Sequence, residues 1–235
     1  MGRFSEAVFG RKLPERCLIY AGSYVPERKE WVKNIFDEWQ RIRGYWIKYS
    51  LAYKNGKEYL LVFNVYGASM TLELIQLLKD GDVKKTFFIG SLGGKDLPIG
   101  KLVLPTKITD KTGVVQIENP NKQVIEPEQN SLKKLRESLK NLNVDYVEGE
   151  IVSVPCVLHD IKHLRDLVEQ SPHVLGVDLE TSVFYYFAQK ENLESYALLY
   201  VSDNKRYDII SGAKNVQEAR RKSLITITKI ATQVL

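Results

Sequence analysis

The order of apolar and polar residues predicts an α/β fold: a three-layer α/β/α sandwich around a central mixed sheet, in a single domain spanning residues 1–235. Two observations carry that expectation. Short β-branched and aromatic runs alternate with amphipathic stretches along the whole chain, the pattern of strands joined by crossover helices. An Asn55-Gly56 step between two such runs adds one antiparallel hairpin to an otherwise parallel sheet.

Taken in order, Cys17 to Gly22 reads as a buried strand ended by glycine, and residues 26–40 as a helix. Tyr45 to Tyr53 and Tyr59 to Val65 flank the Asn-Gly turn as paired strands. Ser69 to Lys79 is a helix with Leu72, Leu74, Ile75 and Leu78 to one side. Lys85 to Gly90 is a strand that runs into a glycine-rich turn, Ser91-Leu92-Gly93-Gly94, and Leu102 to Thr106 is a further strand. Asp110 to Asn130 is polar and reads as a long surface loop. A helix at 131–142, an extended run at 144–157, a short helix at 160–170 and a strand at 174–179 follow. A helix from Thr181, a strand at 196–201 and a long helix at 216–235 close the chain. There is no linker and no internal repeat.

Composition narrows the class. Apolar residues make up 44% and charged residues 27%, ordinary globular usage that excludes disordered, collagenous and coiled-coil chains. The net charge is +5, but its longest basic clusters, Lys84-Lys85 and Arg220-Arg221-Lys222, lack the interleaved aromatics of a single-strand groove, so no nucleic-acid partner is expected. Cys17 and Cys156 are too few for a disulfide framework, and no basic-then-apolar leader opens the chain, so a reducing cytoplasm is expected. No apolar run reaches the roughly 20 residues of a membrane span. Cys156, His159 and His163 are spaced like metal ligands but lack a fourth, and no metal is expected.

In sheets of this kind ligands bind beyond the carboxyl ends of the strands, so the turns after Gly22, Gly90, Val177 and Val201 should converge. Each carries a candidate. Backbone N–H groups of Gly90-Ser91-Leu92-Gly93-Gly94 could form a concavity for an anion, with the Ser91 hydroxyl as an added donor, or simply make a tight turn. In Asp178-Leu179-Glu180, Asp178 either faces a ligand or caps the helix that follows, and Glu180 offers the two acceptors that vicinal sugar hydroxyls need. Asp203 emerges from the apolar run at 197–201, either as a turn cap or as an acid able to protonate a leaving group.

Together these segments resemble the purine nucleoside and uridine phosphorylase family, from about Cys17 to the end of the chain. Gly90-Ser91-Leu92-Gly93 is similar to the family's phosphate turn, Asp178-Leu179-Glu180-Thr181-Ser182 to its Glu-Met-Glu ribose segment, and Val201-Ser202-Asp203-Asn204 to its catalytic aspartate turn. Arg220 matches the basic residue that accompanies that aspartate.

The resemblance implies cleavage of a nucleoside's glycosidic bond. Asp203 would be the general acid, Arg220 its electrostatic partner, Glu180 the ribose anchor and Leu179 the residue packed on the sugar. Ser91, the Gly22 amide and Arg28 would hold phosphate. Arg43 would be lent to a neighbour's site in a homo-oligomer, a dimer or hexamer, with the aromatic hairpin of Tyr45, Trp46, Tyr49 and Tyr53 as its interface. Nucleoside and inorganic phosphate are the implied partners, with no other cofactor.

Departures accompany the matches. The first phosphate loop, Gly-Asp-Pro-x-Arg in the family, is Gly22-Ser23-Tyr24-Val25-Pro26-Glu27-Arg28 here, and Phe88 stands where phosphorylases commonly carry an arginine. An arginine restored there is expected to tighten phosphate. The His-Gly-Met-Gly type segment is reduced to Val65-Tyr66-Gly67-Ala68-Ser69-Met70, and Val157 replaces an aromatic that packs on the base. Phosphorolysis is the leading expectation, with a hydrolytic nucleosidase and a noncatalytic nucleoside-binding homologue as alternatives.

Overall fold

The computed structural model describes residues 4–22, 27–42, 48–156, 171–206 and 212–235. Among these residues the strands are β1 Arg16–Ala21, β2 Glu38–Ile42, β3 Lys48–Lys54, β4 Lys57–Val65, β5 Lys85–Gly94, β6 Leu102–Asp110, β7 Val124–Ile125, β8 Tyr146–Ser153, β9 Val174–Asp178 and β10 Glu194–Asp203. These ten form one mixed sheet, in the order β10-β6-β8-β9-β5-β1-β4-β3-β2, with β7 paired to β6. The helices are α1 Phe4–Phe9, α2 Glu27–Lys33, α3 Ala68–Asp80, α4 Val114–Glu118, α5 Gln129–Asn141, α6 Thr181–Lys190 and α7 Lys214–Val234.

β5 is the hub. It pairs parallel with β1 and β10, and its last residues pair antiparallel with β9. Because β10 also pairs with β6, β6 with β8 and β8 with β9, these strands close on themselves, while β1, β4, β3 and β2 extend the sheet to one side. The hairpin β3–β4 turns at Asn55 and Gly56, both at positive φ, the backbone that a two-residue hairpin with the sheet's twist requires.

Alternation in the central strands supplies two cores. In β1, Cys17 and Ile19 face α1, α3 and α6, where Phe9, Leu74, Leu78 and Phe184 pack. Leu18 and Tyr20 face α2, α5 and α7, meeting Val32, Leu135, Ile227 and Ile230. Each fully buried side chain of this size stabilises the fold by roughly 1.5–3 kcal/mol before entropy is charged against it. Spacings of three and four put Leu132, Leu135 and Leu139 on one face of α5, and Leu224, Ile227 and Ala231 on one face of α7. Where Tyr20 reaches α7, its hydroxyl shares a hydrogen bond with Thr228 at 3.2 Å.

Four expectations need correction. The helix over 26–40 stops at Lys33, and 38–42 is the edge strand β2. Asp37 ends the helical path: its N–H donates to the Tyr53 carbonyl, and its carboxylate accepts Lys54 Nζ at 2.9 Å and the Asn55 N–H at 2.8 Å. The glycine-rich turn at 91–94 is strand, because those glycines let neighbours close in rather than reverse the chain. A Cβ on Gly90 would stand 2.6 Å from Leu199 Cδ2, and one on Gly176 only 2.3 Å from the Gly93 carbonyl. The loop over 110–130 is tied down by α4 and by β7 on β6. Tyr49 is buried, its ring edge-on to Phe9 at 4.7 Å, so it forms no interface. The helix α1 that supplies Phe9 was not anticipated. The helix expected at 160–170, together with Tyr45 and Trp46, lies outside the described residues.

Candidate active site

At the carboxyl ends of β1 and β5 the sheet parts. Pairing of β1 with β5 ends at Tyr20 and Ile89, and pairing of β9 with β5 begins at Gly93 and Val177. Gly90 to Leu92 therefore have no strand partner on that side among the described residues, and Ser91 lies in the gap. Gly22, at φ 101°, takes the chain out of β1 over this gap. A Cβ on Gly22 would stand 3.0 Å from Ser91 Oγ and 3.2 Å from Arg28 Nη1. Arg28, on the first turn of α2, is buried and donates from Nη1 to the Ala21 carbonyl at 3.1 Å.

Gly22, Arg28 and Ser91 are thus one cluster, and the two extra residues in the loop do not keep Arg28 away. One detail differs from expectation. The Gly22 N–H donates to the Val65 carbonyl at 2.8 Å and is engaged by β4; what Gly22 supplies is the space its missing side chain leaves between guanidinium and hydroxyl.

Glu180 ends the link between β9 and α6 and is buried. Its Oε1 accepts the Gly67 N–H at 2.7 Å and its Oε2 the Leu179 N–H at 3.3 Å. Burial, with the Asp178 carboxylate beside it, pushes the Glu180 carboxyl up to about 8, against the pull of those two N–H groups and of the Arg28 charge. Asp178 is the member of the pair better placed to carry the charge. Burial raises its carboxyl too, but Ser153 Oγ donates to its Oδ1 at 2.5 Å, and the Thr181 N–H to its Oδ2 at 2.8 Å, with the Thr181 hydroxyl also donating. Asp178 is therefore the cap of α6, the bland alternative at this position.

Asp203 closes β10 opposite Gly93. Its Oδ1 accepts the Ser202 hydroxyl at 2.5 Å, and its Oδ2 sits 3.2 Å from where a Gly93 Cβ would be, so a side chain there would crowd the carboxylate. Arg220, buried on α7, donates from Nε to the Ser202 carbonyl at 2.8 Å, which brings it to the Asp203 turn. Leu179 packs with Val152, Val154 and Val174. Arg43, Val157, His159 and His163 lie outside the described residues, and Cys156 is exposed.

Phe88 is wholly buried and stacks on Phe184 of α6, ring centroids 4.9 Å apart. The position is core, so the expectation that an arginine there would tighten phosphate gives way to one of lost stability.

Sequence reasoning missed the part played by Gly67, whose amide aims Glu180, and by Asp110, Ser153 and Ser182. Ser182 Oγ donates to Asp110 Oδ1 at 2.5 Å, and the Ser182 N–H donates to Ser153 Oγ at 3.0 Å. The available signal was positional: Asp110 and Ser153 are polar residues that end strands facing a buried end of the sheet.

The sequence model of the phosphorylase superfamily matches residues 21–235. Among solved structures, uridine phosphorylase from Vibrio fischeri ES114 superposes with a TM-score of 0.78, at 17% identity, over 92% of this chain and 89% of that one. Purine nucleoside phosphorylase from Toxoplasma gondii gives 0.79 at 16% identity, over 94% and 90%. The 5′-methylthioadenosine/S-adenosylhomocysteine nucleosidase of Campylobacter jejuni gives 0.74 at 15%, over 93% and 97%. No curated protein sequence matches the chain significantly. Likeness at these identities is likeness of fold, and phosphorylases and a nucleosidase share it; with the family's sequence model covering the chain from Gly22's neighbour Ala21 to its end, the chain belongs to the phosphorylase superfamily.

Proposed function

We propose that this chain is a nucleoside phosphorylase, which cleaves the N-glycosidic bond of a purine or pyrimidine nucleoside with inorganic phosphate and releases free base and ribose 1-phosphate. The observation that carries the reading is the convergence of the buried Arg28 guanidinium and the Ser91 hydroxyl on Gly22, in electrostatic reach of Glu180. A fixed cation and a hydroxyl donor suit a phosphate oxyanion, and a carboxylate next to them suits the sugar that phosphate attacks.

In the reaction a phosphate oxygen bonds to C1′ while the bond from C1′ to the base nitrogen breaks, and the electron pair leaves with the base. Asp203 delivers a proton to the departing base and is left as carboxylate, with Arg220 beside its turn to offset that charge. Glu180 holds the ribose hydroxyls, Leu179 supports the sugar side, and phosphate is the co-substrate with no further cofactor. Arg43 reaches the phosphate of a neighbouring subunit in a homo-oligomer; a monomer by light scattering at micromolar concentration would remove that role. Cytoplasmic residence fits the free thiols, and among the described residues no helix is long and apolar enough to cross a membrane.

A second reading, hydrolysis by water, is favoured by Phe88 in the core where phosphorylases place an arginine. One experiment separates the readings: a nucleoside panel incubated with and without phosphate. Base release that requires phosphate supports phosphorolysis. Release indifferent to phosphate supports the nucleosidase, and binding without release leaves a noncatalytic homologue. In the active case Asp203→Asn should slow release by about 10²–10⁴, because an amide cannot give up the proton.

A further inference from the structure

The register of the sheet sets three polar residues side by side at the carboxyl ends of adjacent strands: Asp110 of β6 stands opposite Ser153 of β8, and Ser153 opposite Asp178 of β9. All three are buried. The first turn of α6 docks onto this row. The Ser182 hydroxyl donates to Asp110 Oδ1, the Ser182 N–H to Ser153 Oγ, the Ser153 hydroxyl to Asp178 Oδ1, and the Thr181 and Glu180 N–H groups to Asp178 Oδ2 at 2.8 and 3.4 Å. Thr112 holds the far end, with its hydroxyl 2.8 Å and its N–H 3.3 Å from Asp110 Oδ1.

We infer that Asp110, Ser153, Asp178 and Ser182 form a positioning row that pins the first turn of α6 and so aims the Glu180 carboxylate, without contacting the ligand.

Two features go beyond a helix cap. A single serine or aspartate suffices to satisfy a helix start, whereas here two buried carboxylates are committed to one turn, and Asp110 Oδ2 is buried with no hydrogen-bond partner among the described residues. The second feature is placement. The row fixes the backbone on both sides of Glu180 while the Gly67 N–H, at the start of α3, fixes the carboxylate itself, so the acceptor atoms are set before any ligand arrives. Among the described residues the charged groups acting on Glu180 are Asp178 from β9, which opposes its ionisation, and Arg28 from α2, which favours it. Asp178 is thus both anchor and electrostatic neighbour, and the row ties the orientation of Glu180 to its proton.

The test is a pH titration of carboxyl carbons by NMR in uniformly ¹³C-labelled protein, with the Glu180 signal assigned by its loss in Glu180→Gln. The wild-type midpoint is expected near 8. Asp178→Asn keeps an acceptor for Thr181 but removes the charge, and the Glu180 midpoint should fall by about one pH unit or more. A helix cap with no influence on Glu180 would leave the midpoint where it was, and that result overturns the inference. Should Asp178→Asn fail to fold, Ser182→Ala breaks the link to Asp110 while leaving the charges in place. It is expected to weaken binding of inosine and uridine at least about tenfold with free-base binding unchanged, and Ser182→Thr should restore it. Equal losses for nucleosides and bases, or no loss, also overturn it. This second arm rests on the reading of Glu180 as the sugar carboxylate. If the wild type binds no nucleoside at all while the midpoint still moves in Asp178→Asn, the proposed function fails and the positioning row stands.

Discussion

Two glutamates at opposite ends of the sheet, Glu194 at the start of β10 and Glu180 just past β9 beside the end of β4, show how one fold treats its two ends. At the amino ends, Glu194 of β10 stands opposite Lys85 of β5, and Lys134 of α5 and the Tyr196 hydroxyl close on it. Burial alone would raise that carboxyl, but donors from Lys134, Tyr196 and Lys85 outweigh it and hold it at about 2. At the carboxyl ends, Glu180 meets two backbone N–H groups and a second acid, and its carboxyl is pushed the other way, to about 8. The amino end has its charges matched inside the chain. The carboxyl end keeps a buried acid met only by backbone N–H groups and a second acid among the neighbours named, and a perturbed group of that kind marks a candidate functional site.

The strongest challenge to this division lies between the two ends. β5 carries Lys85 in the ion cluster, Phe88 in the core and Ser91 at the site. If the apolar middle truly separates them, Phe88→Arg buries a guanidinium against Phe184 within an apolar cluster, and urea unfolding should show a loss of about 3–5 kcal/mol. A variant as stable as the wild type that also binds phosphate more tightly would mean that the side chain at 88 reaches the anion cluster, and the layered picture of β5 would be wrong.

That strand also shows where sequence runs out. The apolar run from Lys85 announces a buried strand, but Gly90, Gly93 and Gly94 read equally well as a turn, because glycine marks both a reversal and a close approach; only the positions of Leu199, Val201 and the Gly93 carbonyl decide for the latter. Glu180, Asp203 and Arg220 were legible because each sits in a short segment whose order carries the resemblance. The row of Asp110, Ser153 and Asp178 was not, since it exists only through the register between strands far apart in sequence. The strand at 38–42 was hidden for a similar reason: Trp39 earns its place through Phe36 and Phe63, and Asp37 through the hairpin, which a local helical period does not reveal.

Next in size is Glu180→Gln. With its folded value raised from 4.5 to about 8, Glu180 binds its proton more tightly in the folded chain, so its contribution to stability is full below about pH 4.5 and is lost as pH rises through about 8. The glutamine variant carries no such loss. At pH 9 it should be more stable than the wild type by on the order of 1–3 kcal/mol, the cost of a buried group without full partners, with the difference shrinking toward pH 5. The same variant should weaken nucleoside binding and spare free base, so gain of stability and loss of ligand move together. Thermal unfolding across pH 5–9 reads the first and calorimetric titration the second; a variant less stable at pH 9 would place Glu180 with Glu194 among satisfied charges.

Glu194→Gln should give the smallest effect and the opposite sign. Its folded value lies below the ordinary 4.5, so the stability it contributes is present above about pH 4.5 and is lost as pH falls toward 2. Its partners are partly exposed, with side-chain exposures of 29% for Glu194, 34% for Lys85 and 54% for Lys134, and solvent screening holds such a cluster to roughly 1 kcal/mol or less. At pH 7 in low salt the variant should unfold slightly earlier than the wild type, and the gap should narrow both in about 1 M salt, where the screening length falls to roughly 3 Å, and near pH 2. Salt should leave the Glu180→Gln difference nearly untouched, because Glu180 and Asp178 are both buried and a buried pair is screened much less than an exposed one. If salt erased both differences alike, the contrast between a matched, solvated edge and a buried, unmatched one would fail, and Glu180 would have to be as open to water as Glu194.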